Sequence, residues 1–485
     1  MSLISPPSEL KQHSKSRFQS EIIATLKLAV PLGGIHLSEA AVSFVNTVMM
    51  GLLGIQSLAA GALGVIAFST LTFICMGILE GASPLAAEAF GAGKTDRIGR
   101  LLAQGIWLVV VLSLPMMLLT WHLDSILRLL GQEENIVLLA KTYLRAIVWG
   151  FPAAIGFFIL KEVATALNRP QFISAIAITS IALNATANYV LLFGKLGFPA
   201  LGLAGIGWAG TFVFWVNFLA AAAILGFHPG FRKYKLFASL GFDKDIFAEL
   251  WQNGWPLGLE NAASFLLFTL IALLSGYMGI TQLAANEIVV QTIEVSVMIP
   301  IAIAYAAMTQ VGQRMGQNDF TSAKVAGLSV IAIGIATTSI ISVALSLFPG
   351  QIAAIYLDES NPDNIIAIRT AIPLLRIAAI FLLAYGLNFI AMGMLQGIKN
   401  IRFPLLINIL IYCCVGMGSG YLLCFILHWG AIGLWLGLTI GMTLGTMFLI
   451  YRFYLSITET IQSSQNEQGI EKSLSLDDER TPVLK

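Results

Sequence analysis

Apolar residues run along this chain in long blocks separated by short polar breaks. A membrane-crossing helix needs roughly 20 of them in succession. Twelve blocks are long enough, at residues 22–50, 57–81, 101–121, 139–165, 172–194, 203–227, 250–276, 283–307, 324–348, 370–395, 403–427 and 430–454. The pattern predicts an all-α polytopic membrane protein with twelve transmembrane helices. The first block is too long for a signal peptide, and its Gly51-Leu-Leu-Gly54 end is not a small-residue cleavage site.

The blocks form two sets of six. Residues 31–91 lie over 256–316 without a gap, so that Pro31-Leu-Gly33 meets Pro256-Leu-Gly258, Gly51 meets Gly276, Gly54-Ile55 meets Gly279-Ile280, and Gly91 meets Gly316. Further on, Tyr143-Leu-Arg145 parallels Leu374-Leu-Arg376 at a slightly larger offset, which a longer loop around 358–363 accounts for. An even number of helices per repeat inserts both copies in the same orientation, a 6+6 arrangement around a central cavity. The expected domains are a cytoplasmic N-terminal tail (1–21), an N-terminal bundle (22–227), a cytoplasmic linker (228–247), a C-terminal bundle (248–454) and a polar, disordered cytoplasmic tail (455–485). The bland alternative is a duplication kept for stability alone.

Composition and charge narrow the class. Of 485 residues 57% are hydrophobic and 11% charged, against about 25% charged in soluble domains. No Lys/Arg block offers a nucleic-acid patch. Lys and Arg crowd the loops that begin after the second block, which puts both termini in the cytoplasm of a plasma (cell inner) membrane protein. Cys75, Cys413, Cys414 and Cys424 lie inside apolar blocks with no Cys-x-x-Cys and no His at zinc spacing, so they read as packing residues and no metal or cofactor is expected. Glycines recur every four residues at Gly433, Gly437, Gly441 and Gly445, a smooth stripe for a neighbouring backbone.

Chemistry enters with two carboxylates. Glu39 and Glu260 sit inside apolar blocks, at nearly the same place in the two copies. A charge near the bilayer midplane costs roughly 3 kcal/mol on insertion scales, so such a residue usually faces a cavity and handles an ion, a proton or a substrate. One per half points to a transporter. The bland alternative is a packing role, with each Glu protonated and bonded to His36, Ser38 or Asn261.

With Leu28-Ala-Val-Pro-Leu32, Val45-Asn-Thr-Val-Met-Met-Gly51, Ala86–Gly93, Asn184-x-x-x-Asn188-Tyr, Met298-Ile-Pro300, Val311-Gly-Gln-Arg-Met-Gly316 and Gly393-Met-Leu-Gln-Gly397, the chain resembles the multidrug and toxic compound extrusion (MATE) family, in its NorM-type branch. The resemblance covers about residues 22–454. It implies a secondary antiporter that exports cationic or amphipathic small molecules in exchange for H⁺ or Na⁺. Four of the family's carboxylate positions are neutral here: Asn46, Asn188 of the Asn184-x-x-x-Asn188 pattern, Ser264 and Tyr385. Together with Asn184, these four residues are expected to form a polar wall for substrate or ion.

Helix geometry suggests a replacement for the missing acids. Glu39 precedes Asn46 by seven residues, placing both on one helix face roughly 10.5 Å apart along the axis. Glu260 precedes Ser264 by four, one turn away. A carboxylate withdrawn from water can hold a proton and yield it when a cation arrives, whereas bare amides add no charge to offset dehydration of Na⁺. H⁺ is therefore the expected coupling ion. Glu287 and Glu294, seven apart, are further candidates for the cavity wall; Trp255, Phe265 and Phe268 could join Tyr385 as aromatic walls. Glu80 and Glu88 read as water-accessible at the cytoplasmic end, and Lys161-Glu162 as an interfacial pair. The remaining readings are a flippase or uncoupled carrier, disfavoured by the scarcity of buried Arg and Lys, and a membrane enzyme, disfavoured because the histidines at 13, 36, 122, 228 and 428 are scattered and no hydrolase motif is present. The expected partners are a small-molecule substrate and the lipid bilayer, with the protein acting as a monomer.

Overall fold

The computed structural model describes residues 7–129, 131–238, 240–357 and 362–478. Twelve helices are long and apolar enough to cross a membrane: α1 (Phe18–Gly51), α2 (Ile55–Gly91), α3 (Thr95–Trp121), α4 (Glu134–Ala166), α5 (Pro170–Phe193), α6 (Leu203–Phe227), α7 (Lys244–Tyr277), α8 (Thr281–Gly316), α9 (Phe320–Leu347), α10 (Asn364–Gly397), α11 (Arg402–Ile426) and α12 (Gly430–Asn466). Each coincides with a predicted block, and among the described residues there is no strand. Burying every backbone polar group inside a helix is what the hydrocarbon core demands. Short helices at Leu123–Leu129 and Pro349–Tyr356 precede α4 and α10, and Pro229–Arg232 lies in the linker.

Two apolar cores carry the two halves. One joins α1–α6, with Leu79, Leu101, Phe151, Ile155 and Phe231 almost fully buried; the other joins α7–α12 around Leu374, Phe381 and Trp435. Within the second half the Gly433–Gly445 stripe lies against Gly416 and Gly420 of α11, too close for any side chain at Gly437. There α11 widens into π-helical turns over Ile411–Gly416 and Leu422–Ile426.

The backbone recurs with the sequence. Left-handed residues at Gly54 (φ 101°) and Gly93 (φ 69°) have counterparts 225 residues later at Gly279 (φ 113°) and Asn318 (φ 58°). Asn168 and Lys399, each at φ 59°, end α4 and α10 in the same way.

The halves meet where the linker is. Gly81 packs on Gly254, Gly77 on Leu257 and Gly258, Gly91 on Gln313, and Gly316 on Glu88. Polar ties seal the same end: Arg97 to Glu249 at 2.7 Å, Arg314 to Glu21 at 2.5 Å, Thr25 to Gln310 at 2.9 Å, Lys399 to Glu88 at 2.5 Å, and Asn168 to Gln313 at 3.1 Å. The last two are the same tie made twice, since Glu88 and Gln313 are counterparts 225 residues apart, as are Asn168 and Lys399 at the later offset.

One expectation fails outright. The tail after residue 455 is not disordered through its described part: the last helix runs from Gly430 to Asp478. Phe453, Ile457 and Ile461 repeat every four residues, and this stripe packs on the inner ends of α8–α10 with Ile457 fully buried. At the other terminus the first helix already begins at Pro7, inside the expected tail.

Candidate functional site

The amides of the first half converge as expected. Asn188 on α5 is fully buried and its Nδ2 donates to Asn46 Oδ1 on α1 at 2.7 Å and to Asn184 Oδ1 at 3.0 Å. Residues i and i+4 of a helix share a face, so α5 presents Asn184 and Asn188 together. Both acceptor oxygens are turned to the Asn188 amide, while Asn188 Oδ1 is buried with no hydrogen-bond partner. Thr211 is engaged separately, donating to the Ala146 carbonyl.

Glu39 stands apart from this cluster on the same face of α1. Its side chain is 57% exposed and pairs with His36 Nδ1 at 3.1 Å. His36 in turn stacks on Tyr305 of α8, with ring centroids 6.1 Å apart.

The second half holds its carboxylate differently. Glu260 is 3% exposed, and Asn408 Nδ2 on α11 donates to its Oε1. Asn408 also exchanges hydrogen bonds with Asn388 on α10. Glu260 Oε2 is left buried without a partner. Asn261, an expected partner, instead donates to the Phe73 carbonyl of the first half. Tyr385 is not an open wall residue but the centre of a buried aromatic cluster, 5.1 Å from Phe381, 4.9 Å from Phe389 and 6.1 Å from Phe268 by ring centroids. Ser264 is half-buried and lies against Tyr412. Glu287 and Glu294 are exposed on α8, with Glu294 near enough to Tyr385 for its charge to act on the phenol. Trp255 and Phe265 are exposed.

Lys161 and Glu162 pair as expected, at 3.3 Å, and the pair is enclosed by protein, with side chains 4% and 1% exposed. Glu80 is half-buried. Glu88 is engaged by Lys399.

The residues missed in the sequence are Asn388, Asn408, Tyr305 and Tyr412. Each is a polar residue inside an apolar block, the same signal that singled out Glu39. Among the described residues, no three His, Cys, Asp or Glu side chains are placed to surround a metal ion. The arrangement is a multi-pass helical membrane protein with carboxylates on membrane-length helices of both bundles.

The MatE family model matches twice, over residues 31–190 and 256–422, and the chain belongs to that family. A "Probable multidrug resistance protein NorM" from Synechococcus sp. is 36% identical over 93% of this chain and 97% of its own length. One of the same description from Synechocystis sp. is 37% identical over 90% and 95%. Among solved structures, the eukaryotic MATE transporter AtDTX14 superposes with a TM-score of 0.83 at 18% identity, over 93% of this chain and 99% of that one. A multidrug resistance MATE family transporter described as outward-facing gives a TM-score of 0.80 at 18% identity, over 91% and 96%. At these identities the superpositions speak for the fold alone.

Proposed function

We propose that the protein is a proton-coupled antiporter that exports cationic, amphipathic small molecules, its two six-helix bundles (22–227 and 248–454) rocking against each other in an inner membrane with both termini cytoplasmic. The observation that carries this reading is that the bundles are tied together at the linker end while Glu39, roughly four turns along α1 from the Thr25 tie, keeps an exposed side chain. A carboxylate open to one side of the membrane and shut off from the other is what alternating access requires of a coupling group. With the linker end cytoplasmic, the described state faces outward.

Glu39 and Glu260 are the coupling candidates, and Asn46, Asn184, Asn188 and Ser264 contribute to the substrate wall. Protons fit better than Na⁺ here. The amide oxygens that could ligate sodium, Asn46 Oδ1 and Asn184 Oδ1, already accept from Asn188, and neutral ligands offset little of the ion's dehydration. The multidrug description of the NorM relatives agrees with a substrate class of organic cations, which the exposed acids Glu39, Glu287 and Glu294 would attract. An uncoupled carrier has no specific observation in its favour.

The test is efflux of a labelled organic cation from vesicles, with and without a pH gradient and with and without Na⁺. Efflux should require the pH gradient and ignore Na⁺. Efflux driven by Na⁺ alone would reverse the ion assignment, and efflux indifferent to both would remove the coupling.

A further inference from the structure

At the linker end of the second half, two arginines stand without a counter-charge. Other basic side chains at that end are tied: Arg97, Arg314 and Lys399 hold carboxylates, and Lys324 donates to Thr458 Oγ1 at 3.3 Å. Arg402, the exposed first residue of α11, and Arg452, on α12, form no ion pair or hydrogen bond with any described residue. The Nε of Arg452 is buried with nothing to donate to. Its guanidinium carbon lies 5.3 Å from the ring centroid of Phe403, the residue next to Arg402, which puts both arginines at one level of the α11–α12 seam. The nearest acid along α12 is Glu459, seven residues further and therefore roughly 10.5 Å away along the axis.

From each arginine an apolar stripe climbs away from the linker end. On α11 it is Leu406 and Leu410, four and eight residues after Arg402; on α12 it is Phe448 and Leu444, four and eight residues before Arg452. Residues at that spacing share a helix face, and all four side chains are exposed. The two helices are in contact above the arginines as well, where Gly445 packs on Ile411. Exposed apolar faces of spanning helices meet acyl chains, which are as apolar as leucine. Each stripe is thus a chain-binding surface headed by a cation. Reaching out to water satisfies an exposed arginine such as Arg402, but it does not serve the buried Nε of Arg452. Two guanidiniums with no acid between them also repel at the edge of a low-dielectric region.

We propose that Arg402 and Arg452 form a binding site for an anionic phospholipid of the leaflet on the linker side, its phosphate held between the two guanidiniums and its chains lying on the two stripes. The planar fork of arginine matches phosphate oxygens in pairs, and basic sites between helices on the cytoplasmic side suit such headgroups. The phosphate supplies the acceptor that Arg452 Nε lacks, offsets the repulsion, and joins the start of α11 to the last helix. The inference goes beyond the antiport reading: it requires the spans to cross a bilayer and does not depend on any coupling ion.

The experiment is native mass spectrometry of the purified full-length protein in detergent, titrated with phosphatidylglycerol and, separately, with phosphatidylcholine of the same chains. The wild type should retain phosphatidylglycerol in preference. Arg402→Gln and Arg452→Gln should each weaken phosphatidylglycerol binding about fivefold, the worth of one basic residue near a membrane surface, and leave phosphatidylcholine little changed. Arg232→Gln, an exposed arginine of the linker, is the control and should bind as the wild type does. Inorganic phosphate at millimolar concentration should not displace the lipid. Should Arg452→Gln fail to fold, Arg402→Gln carries the test alone, since its side chain is exposed, and Arg452→Lys should keep the charge but lose part of the preference. Equal retention of phosphatidylglycerol in Arg402→Gln, or an equal loss in Arg232→Gln, overturns the proposal, the latter by showing only diffuse attraction to the basic end. Displacement by inorganic phosphate overturns it too, in favour of a free-anion site.

Discussion

Breaking the Glu88–Lys399 ion pair should shift the protein towards the state open at the linker end by roughly five- to thirtyfold. The pair spans the two halves at 2.5 Å, with side chains 28% and 37% exposed. Fully exposed pairs are worth about 0–1 kcal/mol, and breaking a fully buried one costs about 3–5 kcal/mol. A partly sheltered pair falls between, about 1–2 kcal/mol, which sets that range. Its counterpart, the Asn168–Gln313 amide tie, is neutral and should contribute about 1 kcal/mol. The assay is electron–electron distance measurement between spin labels at Lys94 and Asn318, both exposed at the linker end, in a background without native cysteines. Glu88→Gln and Lys399→Gln should each enlarge the long-distance population, and the double charge swap Glu88→Lys with Lys399→Glu should reverse most of the change. Added salt should mimic the single variants in the wild type and do nothing further in them. Unchanged distances in both single variants, or a charge swap no better than the singles, would refute the reasoning.

Further expectations concern coupling, packing and acid stability. Glu39→Gln should abolish pH-driven efflux while leaving the protein folded, because its side chain is exposed and its one partner, His36, is three residues away on the same helix; the vesicle efflux assay reads this. Asn408→Leu should cost about 1–3 kcal/mol in thermal unfolding by stripping Glu260 of its donor, and Glu260→Gln should recover part of that loss. Ile457→Ala should destabilise by about 2–5 kcal/mol, since the side chain is fully buried. Asp124 lies outside the spans, on the short helix before α4, and Lys141 at 2.7 Å holds its carboxyl below the usual range. The tie is therefore intact above the ordinary carboxyl pKa and lost as pH falls through the lowered one. Asp124→Asn should lower the melting temperature at neutral pH and converge with the wild type in strong acid.

The spans were legible because each is a long apolar block, and their ends agree with the structure to within a few residues over most of the chain. Breaks in those blocks singled out Glu39 and Glu260, and both lie within membrane-length helices. Their partners were not all legible. His36 lies within one turn of Glu39, but Asn408 reaches Glu260 from 148 residues away, and no local spacing encodes that. The Lys161–Glu162 pair was legible as adjacent opposite charges, but its burial was not, because Tyr305 of the opposite half lies against Lys161. The tail misled because its net polarity hid a four-residue repeat, Phe453, Ile457 and Ile461, sufficient to extend the last helix. Tyr385 shows the limit of reading a wall residue from alignment: the phenol fills an aromatic core once three phenylalanines surround it.

The most direct test of proton-coupled export is to look for the proton itself. Proteoliposomes containing the purified protein, with no Na⁺ present and no initial pH difference, receive an outward gradient of tetraphenylphosphonium with the membrane potential clamped. Internal pH is then followed with a trapped indicator. The account predicts that the lumen acidifies as the cation leaves, that a protonophore erases the signal, and that Glu39→Gln shows none. Cation efflux with no pH change, restored or accelerated only by external Na⁺, would contradict it.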